Sequence, residues 1–457
     1  MAFADQKTFI LESDLSAVMR RLALPAIAAM VLFGLNAFMD TVYIGQLMNE
    51  QALAGVALAY PLTGVLMGMG SWAGTGAGNL LSIALGSEDT DTQHQALPST
   101  TVFALLSSVV VGIPGYLFAE ELVAMMGGSG EVLAYGTRYL KLTMLAAPFW
   151  VYGLALNFIV RSEGKMKEAA VMMSYGLGLN ILLTPIFIQY FDMGVGGAAW
   201  ATNLGMVVYC LVGYRYFSSD KPSFRSNVNS LSGDRQVVRS IARLGFPGFI
   251  LTVMGLIQAI VVFNAIVGVG GNIDGNLAFF AAANRIALFL MTPLFGLMRA
   301  LQPTVGINYG AGQYKRVKQS FWLYTKTGLL ILAPFWALLT IFPAQGLSLV
   351  LPDTTFTAAD IWHFRIYILI LPLLPLVFNA LTFLPAIDQP KYASIVGAAR
   401  QLVFYVPVML ILPRFVGLSG IYYGATAIDV VVTIWLAWIL IRSMHALPED
   451  ETEVSLG

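Results

Sequence analysis

Asp40 is the only charged side chain in the apolar run from Leu22 to Ile44. A carboxylate near the middle of a membrane span costs several kcal/mol when charged and unpaired. Such residues mark ion pathways, proton relays or substrate sites. Desolvation disfavours the charged form, so a buried acid of this kind can take up a proton near neutral pH. It can then release that proton when a cation or water arrives. The alternative is a shorter helix with Asp40 at headgroup level, since Gln46, Asn49, Glu50 and Gln51 follow soon after.

Other polar groups recur at helical spacing. Phe33, Asn36, Asp40 and Tyr43 fall on one helix face, and Asn36 can donate to the carboxylate one turn on. Asn180 and Thr184 are four apart and precede Pro185. Asn157 lies four residues before Arg161, and Thr202 and Asn203 are adjacent. If the spans carrying these residues surround Asp40, they make a polar pocket. Each alone reads as interhelical glue, worth about 0.6 kcal/mol in membranes, sooner than as a site residue. Pro25, fifteen residues before Asp40, is either a hinge in the helix or a tolerated first-turn proline.

The elements that position these groups are membrane helices. The chain has 457 residues, is 58% hydrophobic and 11% charged, and has a mean hydropathy of +0.75. Soluble domains are nearer 25% charged. Twelve apolar runs long enough to span a bilayer fall at about 22–44, 54–84, 97–118, 135–160, 168–190 and 195–217, then 241–268, 277–307, 319–343, 363–386, 393–413 and 417–442. The expected fold is an all-α polytopic membrane protein.

Arg20, Arg21, Arg161, Lys165, Lys167, Arg235, Arg239, Arg243, Lys315, Arg316 and Lys318 gather on one side of this arrangement. The positive-inside rule makes that side cytoplasmic, with both termini there. The single cysteine, Cys210, excludes an intramolecular disulfide, and the zero net charge gives no reason to expect nucleic acid. No H-E-x-x-H, G-x-S-x-G or Walker motif is present, so an enzyme is not expected and transport would run on an ion gradient.

The chain reads as two copies of one unit. Arg21-Leu22-Ala23-Leu24-Pro25 is echoed by Arg243-Leu244-Gly245-Phe246-Pro247, 222 residues on. Thr184-Pro185 is matched by Val406-Pro407 at the same offset, and the glycine-rich run from Gly194 by that from Gly417 at 223. Expected domains are an N-terminal six-helix lobe (1–217), a cytoplasmic linker (218–238) and a C-terminal six-helix lobe (239–457). Copies of six spans share one orientation and form two bundles related by pseudo-twofold symmetry. The copies differ in chemistry: the partner of Asp40 is Val262, and that of Asn36 is Gln258. Asp429 is an acid in the last span with no role assigned by spacing.

These residues resemble the multidrug and toxic compound extrusion (MATE) family, over nearly the whole chain. The likeness rests on Pro25 with Asp40, Asn157 with Arg161 to Lys165, Asn180 to Pro185, Gly194 to Thr202, and Pro303 to Gly312. The lack of acids in the seventh and tenth spans is similar to the DinF-like branch. The resemblance implies antiport of cationic or amphipathic drugs, with Asp40 as coupling residue and helix 1 bending near Pro25. It places Asn157, Asn180, Thr202 and Tyr139 around that aspartate. It implies a monomeric carrier in a prokaryotic inner membrane, among lipids, with no cofactor. Many members carry an acid where this chain has Thr184. One carboxylate favours a proton over sodium, which prefers several oxygen ligands and compensating charge. Sodium coupling stays as the alternative. A lipid-linked flippase is the other rival, and would need several basic residues in its cavity, where only Arg285 and Arg299 stand mid-span.

Overall fold

The computed structural model describes residues 2–270, 273–351 and 354–448. Residue 1 and residues 449–457 of the two expected lobes lie outside the described residues. A short helix α1 (Ala2–Glu12) precedes two strings of like elements. The first is α2 (Leu15–Leu47), α3 (Glu50–Gly86), α4 (Thr90–Leu117), α5 (Ala119–Met125), α6 (Gly130–Leu145), α7 (Ala147–Ser162), α8 (Met166–Pro185) and α9 (Val195–Phe217). The second is α10 (Arg235–Val269), α11 (Ile273–Gly310), α12 (Tyr314–Ile341), α13 (Pro343–Ser348), α14 (Ala358–Ile368), α15 (Leu374–Ala386), α16 (Pro390–Ala399), α17 (Val406–Val416) and α18 (Ser419–His445).

Among the described residues eleven helical runs are long and apolar enough to cross a membrane, twelve when the bent pair α6 and α7 is counted as one span. The run expected as one helix over 135–160 is bent by 57° between α6 and α7. Pro148, in the first turn of α7, has no N–H to bond back across the break. The counterpart span in the second string is interrupted by a 3-10 turn, Leu371–Leu373, that also contains a proline.

The internal repeat reaches the local geometry. Asp14 and Asp234 each cap the first long helix of a string by accepting two backbone N–H groups. The fifth span of each string widens into a π-helix, Ile186–Tyr190 and Arg400–Tyr405. Gly194 (φ +57°) and Gly417 (φ +69°) turn the chain into the last helix of each string. Both combine positive φ with strongly negative ψ, which side-chain-bearing residues avoid. The glycine echo between these two positions therefore has a backbone cause.

The first helix of each string packs on the second helix of the other: α2 on α11, and α10 on α3. Gly76 and Gly245 make the α3–α10 crossing possible. A Cβ on Gly76 would strike Ile241 O, and one on Gly245 would strike Trp72 O. Trp72 stacks on Phe249 at 4.8 Å and donates from Nε1 to Ala242 O at 2.7 Å. The segment after α9 lies across the ends of α4 and α7. Ser226 donates to His94 O at 2.7 Å, and Ser223 N donates to the Glu163 carboxylate. Helix α1 spans the same end, pairing Lys7 with Glu88 at 2.8 Å and taking the Arg316 guanidinium on Ile10 O and Ser13 O at 2.9 and 2.8 Å.

Candidate functional site

Asp40 stands seven residues before the end of α2. Its Oδ1 is buried and has no hydrogen-bond partner among the described residues. The Thr184 hydroxyl faces the carboxyl group from α8. Tyr60 of α3 and Tyr139 of α6 lie close enough for the Asp40 charge to act on both. Tyr139 is 6% exposed and also meets the Thr202 hydroxyl.

One turn from Asp40 a chain of side-chain bonds crosses three helices. Asn36 Nδ2 donates to Asn180 Oδ1 at 2.5 Å, and Asn180 Nδ2 donates to Thr202 Oγ1 at 2.9 Å. Thr202 and Thr184 each donate their hydroxyl proton back along their own helix, to Ala198 O and Asn180 O, both at 2.9 Å. Pro185 follows and opens the π-segment, so the α8 polar pair sits where the helix widens. Asn36, Asn180, Thr184, Thr202 and Tyr139 thus stand together around Asp40. Asn36 bonds to Asn180 rather than to the carboxylate. Pro25 lies inside α2, not in its first turn. Its missing N–H leaves the carbonyl of Arg21 without the usual partner.

Asn157 stands apart from this group. Its amide donates to Ala169 O at 2.8 Å, and it lines a crevice with Arg161 and Arg299. Sequence reasoning missed Tyr60, because a lone tyrosine in an apolar run carries no spacing signal. A cavity of about 610 Å³ also lies elsewhere, beside Glu120, Arg138 and Lys141.

In the second string the corresponding place holds an ion pair. Arg400 donates to Asp429 Oδ1 from Nε at 2.8 Å and approaches it with Nη2 at 2.7 Å. Its Nη1 donates to Gln258 Oε1 at 3.2 Å. Gln258 is the residue that the repeat pairs with Asn36. Asp429 therefore has a specific partner, and Arg400 sits at the start of a π-segment within a span rather than on the basic face.

Two like helix bundles, with a half-buried acid in one and a neutralised pair in the other, make up a polytopic membrane protein. The profile of the MatE family matches residues 25–186 and again 249–411, two copies that begin 224 residues apart. The chain belongs to the MatE family. The multidrug export protein MepA of Staphylococcus haemolyticus (strain JCSC1435) is 24% identical over 456 residues, covering 98% of each chain. A crystal structure of a MATE protein in a bent conformation superposes with a TM-score of 0.89 at 24% identity, covering 96% of this chain and 98% of that one. Another, in a straight conformation, gives 0.86 at 24% identity over the same shares of both chains.

Proposed function

We propose that this chain is a secondary-active multidrug exporter, a proton-coupled antiporter of cationic or amphipathic drugs with Asp40 as the coupling group. The observation that carries the coupling is the hydrogen bonding around Asp40. Thr184 has one hydroxyl proton, and that proton goes to Asn180 O. With the proton turned that way its oxygen accepts, and a bond with Asp40 takes a protonated carboxyl as donor; turned towards Asp40 it donates to the carboxylate, so this one hydroxyl can serve both states of the acid. The partnerless, buried Oδ1 fits the carbonyl oxygen of a neutral acid better than half of a charged carboxylate.

In this reading, loss of the proton forces Asp40 to find donors. Tyr60, Tyr139 and the Asn36 amide are the groups within the pocket that can supply them. Rearranging Asn36 breaks its bond to Asn180, which frees α2 from α8. Pro25 gives α2 a place to bend, and the bent and straight structures of a MATE protein support two such conformations. Residues 1–217 and 239–457 act as the two moving lobes and 218–238 as their linker, with the basic face and both termini cytoplasmic. Each pH unit of gradient supplies about 1.4 kcal/mol per proton.

The test is drug efflux from proteoliposomes under a pH gradient alone and a sodium gradient alone. Efflux driven by pH and not by sodium supports the reading. Efflux driven by sodium overturns the choice of ion, and no efflux under either overturns the exporter assignment.

A further inference from the structure

Arg161 of α7 and Arg299 of α11 face one another across the two strings of helices. Both guanidiniums lie over the Phe158 ring, with carbon-to-centroid distances of 3.9 and 6.0 Å, so the two are at most 9.9 Å apart. Arg161 is 4% exposed, and its Nη1 is buried with no hydrogen-bond partner among the described residues. Its one recorded bond is a long one, from Nε to Asn157 O at 3.4 Å. Among the described residues, the ionisable groups that act on Arg161 are Arg299 and Tyr209, and Tyr209 acts on Arg299; no carboxylate is among them.

A second donor is orphaned nearby, on the side of α11 that faces Gly78 of α3. Gln302, 6% exposed and one turn beyond Arg299, has a buried Nε2 with no partner. It sits beside the Phe158 main chain: a Cβ built on Gly78 would lie 2.9 Å from Gln302 Nε2 and 3.3 Å from Phe158 O. Arginine does not deprotonate in proteins. Two like charges near one another, and a third N–H donor without an acceptor, together carry a large desolvation cost unless an acceptor with negative charge is present.

We propose that Arg161 and Arg299 form a binding site for a small monovalent inorganic anion, of the halide class, at the contact between the two lobes. The size of the crevice sets the class. The space in which the centre of a water-sized group can sit is about 10 Å³, bounded by Ala26, Ala29, Ala169 and Met173. That is close to the least space that holds one water molecule, and it leaves no room for a phosphate or a lipid headgroup. The anion would neutralise a repulsion between α7 of one lobe and α11 of the other, and so hold this contact closed.

The test uses the full-length purified protein at fixed ionic strength, exchanging sodium gluconate for sodium bromide. The unfolding midpoint is expected to rise saturably with bromide, by a few degrees, in the wild type. It should stay flat in Arg299→Gln and rise more weakly in Arg299→Lys. A flat wild-type titration, or a full rise in Arg299→Gln, overturns the site. Should Arg299→Gln fail to fold, anomalous scattering from bromide-soaked wild-type crystals decides. A peak between Arg161 and Arg299 supports the site, and peaks only elsewhere overturn it.

Discussion

Asn36 of α2 and Asn180 of α8 meet amide to amide, with Asn36 Nδ2 donating to Asn180 Oδ1 at 2.5 Å, one turn from Asp40. This bond ties the helix that carries the acid to the helix whose Thr184 faces it. Any change at Asp40 that pulls on Asn36 is therefore passed to α8. Replacing Asn180 by alanine should uncouple the two. Drug efflux in proteoliposomes should fall strongly, while stability drops by only about 1–3 kcal/mol for the orphaned amides. Wild-type efflux in Asn180→Ala would remove this bond from the coupling path.

Pro25→Ala restores a backbone donor to α2 and removes its weak point. The expected outcome is a protein at least as stable as the wild type, with drug binding retained and transport reduced. Distances between spin labels on α2 and α8, compared at low and high pH, should change in the wild type and not in the variant. Equal changes in both would mean that α2 bends without help from Pro25.

Arg400 and Asp429 are 28% and 17% exposed, so their pairing is only partly desolvated. Removing one partner leaves the other charged inside a span. Arg400→Gln and Asp429→Asn should each cost about 2 kcal/mol, below the 3–5 kcal/mol of a fully buried pair. The double variant should cost less than the two singles together. Strict additivity in thermal unfolding would show that the pair is not coupled.

Glu163, just past the end of α7, predicts a pH dependence of stability. Burial is the main influence on it and pushes its carboxyl above the ordinary glutamate value of 4.5, against the opposing pull of Lys165 at 3.3 Å, Ser223 and Tyr216. An acid held higher in the folded state binds its proton more tightly there than when unfolded. Its contribution to stability is therefore greatest below the ordinary value and is lost as pH rises towards the folded value. The unfolding midpoint of the wild type relative to Glu163→Gln should fall over that window. A rising difference would show that the partners outweigh burial.

The sequence revealed what depends on one helix at a time. Twelve apolar runs and the polar face around Asp40 follow from spacing within a segment, and the 222-residue echo from comparing like segments. Asn36, Asn180 and Thr184 were readable because each lies within five residues of a proline or an acid. Contacts between helices were not. Asn157 has the same residue type and helical setting as Asn180, yet the rotation of α7 turns it to Ala169 instead. Tyr60, the Arg400–Asp429 pair and the Arg161–Arg299 approach join segments far apart in sequence, where periodicity is silent. The break at Ala146 was hidden because Pro148 lies in an unbroken apolar run. The bond of Asn36 to Asn180 rather than to Asp40 depends on how α2 meets α8.

The central claim is that Asp40 exchanges its proton for a drug. The most direct measurement is proton release when a cationic drug is added to purified protein in weakly buffered detergent solution. The account predicts that the wild type releases a proton on saturable drug binding and that Asp40→Asn binds drug without releasing one. Equal release from both proteins, or drug binding by the wild type with no release at any pH, would contradict it.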